Sequence, residues 1–235
     1  MSVLFHHVNE ATVRVLAENG CDVLVPQKQR CCGALHLHAG FADEARKLAR
    51  QTMEIFERDR IDAIIVNSAG CGSMMKEYAE LFPAGVDATR ARLLGEKVKD
   101  VSEFLAELGL VPVKKVLSAR VAYHDACHLA HAQKVTAAPR ALLAKIPGIN
   151  LITLPESDMC CGAAGTYNLT QPEMATSLAE RKIANIELTG ANICVTGNVG
   201  CAMQVQSEAL ARGKNIEVLH PVELLHRAVF SRERH

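Results

Sequence analysis

The tetrapeptide Cys-Cys-Gly-Ala occurs twice in the chain, beginning at Cys31 and at Cys160. Each copy is followed by a Gly-Cys step, which ends at Cys71 in the first half and at Cys201 in the second. Adjacent cysteines suit a disulfide poorly, because neighbouring side chains on an extended backbone point apart. A tight turn can instead present both thiolates to one iron–sulfur cluster. The pattern predicts a duplicated metal-cluster module that carries electrons.

The overall charge and composition exclude several classes of protein. The chain contains 26 basic residues (lysine and arginine) and 26 acidic residues (aspartate and glutamate). It therefore lacks the basic excess of a nucleic-acid-binding protein. Aromatic residues make up only 4% of the chain and tryptophan is absent, which argues against a surface that stacks bases. No apolar stretch approaches the length of a transmembrane helix, and no basic, apolar leader opens the sequence.

The cysteine count indicates the compartment. Nine cysteines, an odd number, without a secretion signal predict a cytoplasmic protein whose clustered thiols bind metal rather than form disulfides. We expect contact with the inner membrane only through partner subunits.

A repeat relates the two halves. IDAIIVNSAGC (61–71) matches ANICVTGNVGC (191–201), and both are apolar runs that end at Gly-Cys. Strands alternate with helices in each half, which predicts an α/β fold of two pseudo-repeated cysteine-rich modules with short parallel strands and flanking helices. We place the first module at 1–112 and the second at 113–235.

The periodicity of apolar residues predicts the elements of each module. Predicted strands cover 21–25, 63–66, 120–124, 151–154, 193–196 and 216–220. Predicted helices cover 8–18, 41–58, 73–81, 88–108, 139–145, 172–189 and 221–229.

The two modules begin differently. The second opens with a strand and Cys127, which precedes Cys160 by 33 residues. The same interval before Cys31 falls upstream of Met1. We therefore expect the first module to be truncated at its N-terminus, as in a fragment of a longer protein; the alternative is a first module that is incomplete by nature.

Four cysteines of the second half form the stronger candidate site: Cys127, Cys160, Cys161 and Cys201. They follow the carboxyl ends of predicted strands, where ligand sites gather in open α/β sheets. Four thiolates satisfy a [4Fe–4S] cluster, one per iron. A structural zinc ion or unligated thiols are the alternatives, although zinc sites usually contain C-x-x-C pairs, which neither half has.

The first half offers three cysteines, Cys31, Cys32 and Cys71. With an upstream cysteine they would form a second four-thiolate site. Otherwise they would hold a labile cluster, or a zinc ion with a fourth ligand, which His36 or His38 could supply. The favoured interpretation of these two histidines is that they belong to a surface loop.

The remaining cysteines and the histidines near Cys127 have simpler interpretations. Cys21 and Cys194 lie within apolar strand segments and are interpreted as buried core. Three histidines surround Cys127: His124, His128 and His131. One of them could donate to a cluster sulfur or relay a proton, although a histidine at a strand end is more often bonded to backbone. No phosphate loop, nucleophile elbow or HExxH motif occurs, so we assign no catalytic residue.

The motifs resemble the cysteine-rich "CCG" domain family, which includes subunits of heterodisulfide reductase and of anaerobic glycerol-3-phosphate dehydrogenase. The likeness is strongest for the C-terminal region of the glycolate oxidase (glycolate dehydrogenase) iron–sulfur subunit. The segments that carry it are RCCGALHLHAG (30–40), NSAGCGSMMKEYAELF (67–82), YHDACHLAHAQKV (123–135), CCGAAGTYNLTQPEMA (160–175) and NVGCAMQ (198–204).

The resemblance implies a non-catalytic electron-transfer subunit of an oxidoreductase. It would bind [4Fe–4S], take electrons from flavin-containing subunits that oxidise glycolate to glyoxylate, and pass them to an acceptor such as quinone. The alternatives to this function are a lactate-utilisation iron–sulfur subunit and a non-redox assembly module stabilised by zinc.

One departure from the family narrows the chemistry. Heterodisulfide-reductase-type motifs end in C-x-x-C, whereas Met74 and Gln204 stand three residues after Cys71 and Cys201. This disfavours a five-cysteine noncubane cluster and disulfide reduction.

Overall fold

The first half of the chain contains six helices and two strands among its described residues. The computed structural model describes residues 3–57, 60–113 and 115–230. The elements of the first half are α1 (His6–Glu18), α2 (Ala34–His38), α3 (Ala42–Phe56), β1 (Ile64–Val66), α4 (Ala69–Lys76), a 3₁₀ turn (Tyr78–Leu81), α5 (Val86–Gly95), β2 (Val98–Asp100) and α6 (Val101–Leu108).

The second half is richer in strands. Its elements are β3 (Ala119–His124), a π-helical turn (His128–Ala132), α7 (Ala137–Leu143), β4 (Ile149–Ile152), α8 (Tyr167–Thr170), α9 (Pro172–Thr189), β5 (Ile193–Thr196), α10 (Val199–Ala211), β6 (Glu217–Leu219) and α11 (Pro221–Val229). Among the described residues, no helix combines the length and apolar character needed to cross a membrane.

Every strand pair is parallel. In the first half β1 pairs with β2, and in the second the order is β4-β3-β5-β6. The β1–β2 pair is the counterpart of β5–β6, as the sequence repeat requires. The predicted α/β class, with short parallel strands and flanking helices, is confirmed.

The two halves exchange helix contacts in a reciprocal way. Helix α1 packs against α11, and its counterpart α7 packs against α6, the counterpart of α11. One hydrophobic core therefore contains residues from all four helices together with the inner faces of β3 and β5. The boundary at 112/113 stays a prediction, because this core runs across it.

Equivalent capping boxes start the last helix of each half. The Asp100 carboxylate accepts a hydrogen bond from the Ser102 N–H at 2.8 Å, and Glu103 reaches back to the Asp100 N–H. In the second half His220 takes the capping position and Glu223 the reciprocal one. Each box satisfies N–H groups that a helix start leaves without partners.

The predicted strand at 21–25 is wrong. This segment forms no strand. Its counterpart in the second half, β4, is a strand because it forms backbone hydrogen bonds with β3. Among residues 3–57 no strand stands in the place of β3, so the segment has no neighbour to bond. Cys21 and Val23 pack against the core while Leu24 and Val25 are exposed.

The predicted single helix at 88–108 is also wrong. It is broken into α5, β2 and α6, because β2 pairs with β1 and Asp100 caps a new helix. The strand is only three residues long, which is too short to show an alternating pattern in the sequence.

Candidate metal centre

Three adjacent strands of the four-stranded sheet deliver the cysteines of the second half to one edge. Cys127 follows β3, Cys160 and Cys161 lie in the loop after β4, and Cys201 lies in the first turn of α10 after β5. Because parallel strands end at the same edge, loops that are distant in sequence meet there.

The structure brings these four thiols into a continuous group. Cys160 lies close enough to both Cys127 and Cys161 for the thiols to shift one another's pKa, and Cys161 and Cys201 interact in the same way. Cys161 and Cys201 are buried, whereas Cys127 and Cys160 are partly exposed. The group therefore has a dry inner side and a side open to solvent.

Hydrogen bonds to sulfur favour the thiolate form at two of the four positions. The pKa of Cys160 is lowered to about 2, chiefly by the hydrogen bond with Cys127, with help from Cys161 and the Gly162 N–H at 3.4 Å. The pKa of Cys201 falls well below its ordinary value, chiefly through Cys161. Thiolates are the form that binds metal.

A glycine allows the Cys-Cys loop to lie against helix α9. Gly162 has φ +92°, and a Cβ there would stand 2.4 Å from the carbonyl oxygen of Ala175. Its counterpart Gly33 has φ +87°, but a Cβ there would be 3.3 Å from the Ala45 backbone. Glycine is thus required by conformation in both loops and by close approach most strongly in the second.

The three cysteines of the first half form a smaller group. Cys32 lies close enough to interact with both Cys31 and Cys71, and this interaction lowers the pKa of Cys31 to about 5 and also lowers the pKa of Cys71. The Tyr78 hydroxyl fixes this loop by donating to the Cys32 carbonyl at 2.8 Å. The structure thus places three sulfurs together, while Cys31 stays exposed.

Of the two histidines proposed as a fourth zinc ligand, His36 lies close enough to Cys31 for its charge to lower the pKa of that thiol. Its Nδ1 is buried without a hydrogen-bond partner among the described residues. The His38 ring instead packs edge-on against His128 of the other half, with centroids 5.6 Å apart.

Comparison with known proteins agrees with this arrangement. The model of the cysteine-rich domain, CCG, matches residues 2–76 and 121–206, which include both thiol groups. This chain belongs to the CCG cysteine-rich domain family. Its two halves are the two pseudo-repeated modules that the sequence predicts, and the resemblance stated above is confirmed.

Individual relatives divide between two names. The chain is 36% identical over 232 residues to the probable glycolate oxidase iron–sulfur subunit of Bacillus subtilis, covering 96% of this chain but 52% of that protein. It is 32% identical over 225 residues to lactate utilization protein A of Shouchella clausii, covering 95% of this chain and 93% of that protein. The protein of the same name in Oceanobacillus iheyensis is 31% identical over 225 residues, with 95% and 91% covered. The chain therefore spans about half the length of the first relative and most of the other two.

The second CCG module also contains polar groups that sequence reasoning did not identify. Asn198 occupies the N-cap position of α10 and donates from Nδ2 to the Cys201 sulfur at 3.4 Å. Lys182 is fully buried, donates to the Glu156 carbonyl at 2.5 Å and lies within reach of the charge on Cys161. The repeat aligns Asn198 with Ser68 of the first CCG module and so gave a sequence signal for Asn198, whereas no pattern marked Lys182.

The other cysteines lie outside the thiol groups. Cys194 is fully buried in the core beneath the second site, and burial raises its pKa to about 12. Cys21 is half-buried against the shared core, which also raises its pKa. Both positions agree with the interpretation as core residues.

The donor set of the second CCG module suits an iron–sulfur cluster. Four thiols meet at one sheet edge, and two already have thiolate character. N–H groups from Gly162 and Asn198 point at sulfur, which is how proteins stabilise the negative charge of a cluster.

Proposed function

We propose that this chain is an iron–sulfur subunit that transfers electrons for an oxidoreductase acting on a 2-hydroxy acid, in the first place glycolate. The observation that carries the proposal is the contact of four thiols from three separate loops at one edge of the sheet. Family membership and the printed names of the relatives support it.

We assign Cys127, Cys160, Cys161 and Cys201 as the protein ligands of one [4Fe–4S] cluster. When bound, such a cluster supplies one-electron oxidation and reduction. Cys31, Cys32 and Cys71 are the ligands that the first module contributes to a second site.

The remaining residues of the second site control charge and solvent. The N–H donors of Gly162 and Asn198 stabilise sulfur charge and so favour the reduced, more negative state. The buried ammonium of Lys182 lies near enough to Cys161 for the two charges to interact. The partly exposed side, at Cys127 and Cys160, is the side from which electrons enter or leave.

Oxidation of the hydroxy acid is assigned to a partner. Converting a hydroxyl to a carbonyl removes two electrons, which suits a flavin, whereas an iron–sulfur cluster exchanges one electron at a time. The chain would then take electrons from a flavoprotein in the cytoplasm and pass them to an acceptor such as quinone.

Lactate is the second candidate substrate of the complex, because several relatives carry the name lactate utilization protein A. Lactate and glycolate share the 2-hydroxy acid group and differ by one methyl group. This difference would be recognised in the partner subunit, so no residue of this chain is assigned to it.

The first experiment is metal analysis of protein purified without oxygen. We expect iron and acid-labile sulfide in equal amounts, near four of each per cluster, with broad visible absorbance that dithionite bleaches. Zinc without sulfide would overturn the proposal and favour the zinc-stabilised assembly module.

The second experiment tests the substrate. The oxidised subunit is mixed with its flavoprotein partner, and cluster bleaching is followed after addition of glycolate or lactate. Bleaching by glycolate supports the first assignment, and bleaching by lactate alone replaces it with the second. A Cys161→Ser subunit is the matched control and should lose the bleaching that comes from the second-module cluster with either acid.

A further inference from the structure

The ring of His128 lies beside the sulfur of Cys127, the residue directly before it in the chain. Nδ1 of the ring is 3.5 Å from that sulfur, which is within hydrogen-bond distance for a sulfur partner. Both residues are only partly buried. The contact therefore lies on the side of the second thiol group that is open to solvent.

The direction of this hydrogen bond follows from the chemistry of a cluster ligand. The thiolate is the form of cysteine that binds metal, and a thiolate has no proton to donate. A neutral imidazole carries one N–H, so Nδ1 must carry the proton when it bonds to a thiolate. Donors to cluster sulfur stabilise the reduced, more negative state.

A histidine of the first module packs against this ring. The His38 ring meets the His128 ring edge-on, with centroids 5.6 Å apart and an interplanar angle of 66°. His38 also lies against the second Cys-Cys loop, since a Cβ at Gly165 would stand 3.6 Å from its Cδ2. The His38 ring thus contacts two loops of the second site and restricts rotation of the His128 ring.

His38 belongs to a helix that begins at the Cys-Cys loop of the first module. Helix α2 (Ala34–His38) directly follows Gly33, which has φ +87° and comes after Cys31 and Cys32. One helix of five residues therefore connects the first thiol group to the ring beside Cys127.

We propose that His128 sets the reduction potential of the second-site cluster by donating from Nδ1 to the Cys127 sulfur, and that His38 is a positioning residue for its ring. The inference rests on the proposed function in that a cluster must occupy the second site. It adds no metal ligand, because His128 acts on a sulfur that is already assigned to iron. It makes the first module the source of the contact that holds the donor in place.

The test measures the midpoint potential of the second-site cluster in the full chain at one fixed pH, by redox titration followed with electron paramagnetic resonance. The signal of this cluster is the one that Cys161→Ser loses. His128→Leu removes the donor, whereas His128→Asn keeps an N–H near the position of Nδ1. His131→Leu is the matched control, because His131 is exposed in the same π-helical turn. Iron and acid-labile sulfide per chain show whether each variant holds its cluster.

We expect His128→Leu to lower the potential. At the wild-type midpoint, the ratio of oxidised to reduced cluster should rise about 10-fold, which corresponds to about 59 mV for a one-electron couple. His128→Asn should recover most of this shift, and His131→Leu should match wild type. A His128→Leu protein with a full cluster and the wild-type potential, or an equal shift in His131→Leu, would overturn the proposal.

The positioning role of His38 has its own comparison. His38→Ala removes the ring contact and should raise the same ratio by a smaller factor, about 3-fold, because an edge-on ring contact is worth less than a hydrogen bond to a charged group. His38→Phe keeps an aromatic ring and should stay near the wild-type potential. An unchanged potential in His38→Ala would show that His38 does not position His128.

A second measurement reports the hydrogen bond itself. Reduced wild-type protein labelled with [¹⁵N]histidine is studied by electron–nuclear double resonance. We expect a weak coupling from a histidine nitrogen that His128→Asn lacks, together with a coupled proton that exchanges in D₂O. Absence of this coupling in wild type would overturn the proposal, and so would a strong coupling typical of nitrogen bound directly to iron.

The two proposals fail in distinguishable ways. A chain without acid-labile sulfide overturns the electron-transfer function and this inference with it. A cluster-containing chain whose potential does not respond to His128→Leu overturns this inference alone.

Discussion

Ser68 and Asn198 occupy equivalent positions in the two modules and bond to each other. Each is the residue before the helix that carries its Gly-Cys step, and the Ser68 hydroxyl donates to Asn198 Oδ1 at 3.2 Å. Asn198 also donates to Cys201, and Ser68 lies close enough to Cys71 to lower the pKa of that thiol. The Ser68–Asn198 bond therefore joins the two modules at a point next to both thiol groups.

The first prediction concerns the stability of this contact. Asn198 Oδ1 accepts from the Gly70 N–H at 3.3 Å as well as from Ser68. Asn198→Ala leaves both donors without that acceptor, and we expect the free energy of unfolding to fall by about 2 kcal/mol. Chemical denaturation measures the change.

Two comparisons sharpen this test. Ser68→Ala removes only one of the two bonds and should cost about half as much. The exposed Asn150 serves as the control, and Asn150→Ala should change stability by less than about 0.5 kcal/mol. Equal losses in the Asn198 and Asn150 variants would contradict the role of the contact.

The second prediction separates ligand cysteines from core cysteines. Cys161→Ser should abolish the iron of the second site, because Cys161 lies between Cys160 and Cys201 in the thiol group. Cys194→Ala should keep its iron and lose only about 1–2 kcal/mol of stability, because it leaves a small gap in the core. Iron and sulfide per chain are measured on anaerobically purified protein; equal iron loss in both variants would remove Cys161 from the ligand set.

The third prediction compares the two loop glycines. Both have positive φ, so an alanine is strained by about 1–2 kcal/mol at either position. Gly162→Ala should cost about 3 kcal/mol or more, because its Cβ also meets the Ala175 carbonyl oxygen at 2.4 Å. A Cβ at Gly33 would lie 3.3 Å from its nearest neighbour, so we expect Gly33→Ala to cost only the backbone strain of the positive φ.

Denaturation midpoints and iron content report this difference. Gly162→Ala should also lower the iron bound by the second module, since Cys161 must shift with the loop. If Gly33→Ala proves at least as damaging as Gly162→Ala, the close approach to helix α9 does not limit the second loop.

The convergence of the four cysteines of the second half was open to prediction from sequence, because each follows an apolar run that becomes a strand of one parallel sheet. The prediction of a strand at 21–25 failed for a non-local reason. Its counterpart β4 is a strand because it pairs with β3, and residues 21–25 have no such neighbour. The packing of α1 on α11, and of α7 on α6, could not be predicted for a similar reason. An amphipathic pattern shows that a helix has an apolar face and does not identify its partner.

The polar members of the site were harder to foresee. The position of His124 depends on the Ser157 carbonyl, 33 residues away in sequence, which fixes the ring and leaves a ring nitrogen close to the sulfurs of Cys161 and Cys201. A histidine after a strand is compatible with many roles until that contact is known. Asn198 acts through its side-chain amide in the same way, and the repeat marks its position but not its bonds.

The fourth prediction concerns acid sensitivity. His220 caps α11 by accepting from the Val222 N–H at 3.1 Å, and burial lowers its pKa from 6.5 to about 3. Protons therefore bind His220 more tightly in the unfolded chain. The contribution of the neutral His220 ring to the free energy of unfolding is fully present above about pH 6.5 and is lost as the pH falls toward 3.

His220→Asn tests this directly, because asparagine is a good helix cap that does not titrate. Each pH unit below the ordinary histidine pKa costs about 1.4 kcal/mol, so wild type should lose about 2 kcal/mol more than the variant between pH 7.5 and pH 5. Other titrating groups are common to both proteins and cancel in the difference. The exposed His6 provides the control, and His6→Asn should follow wild type. A constant difference between wild type and His220→Asn across this range would show that His220 does not titrate on unfolding.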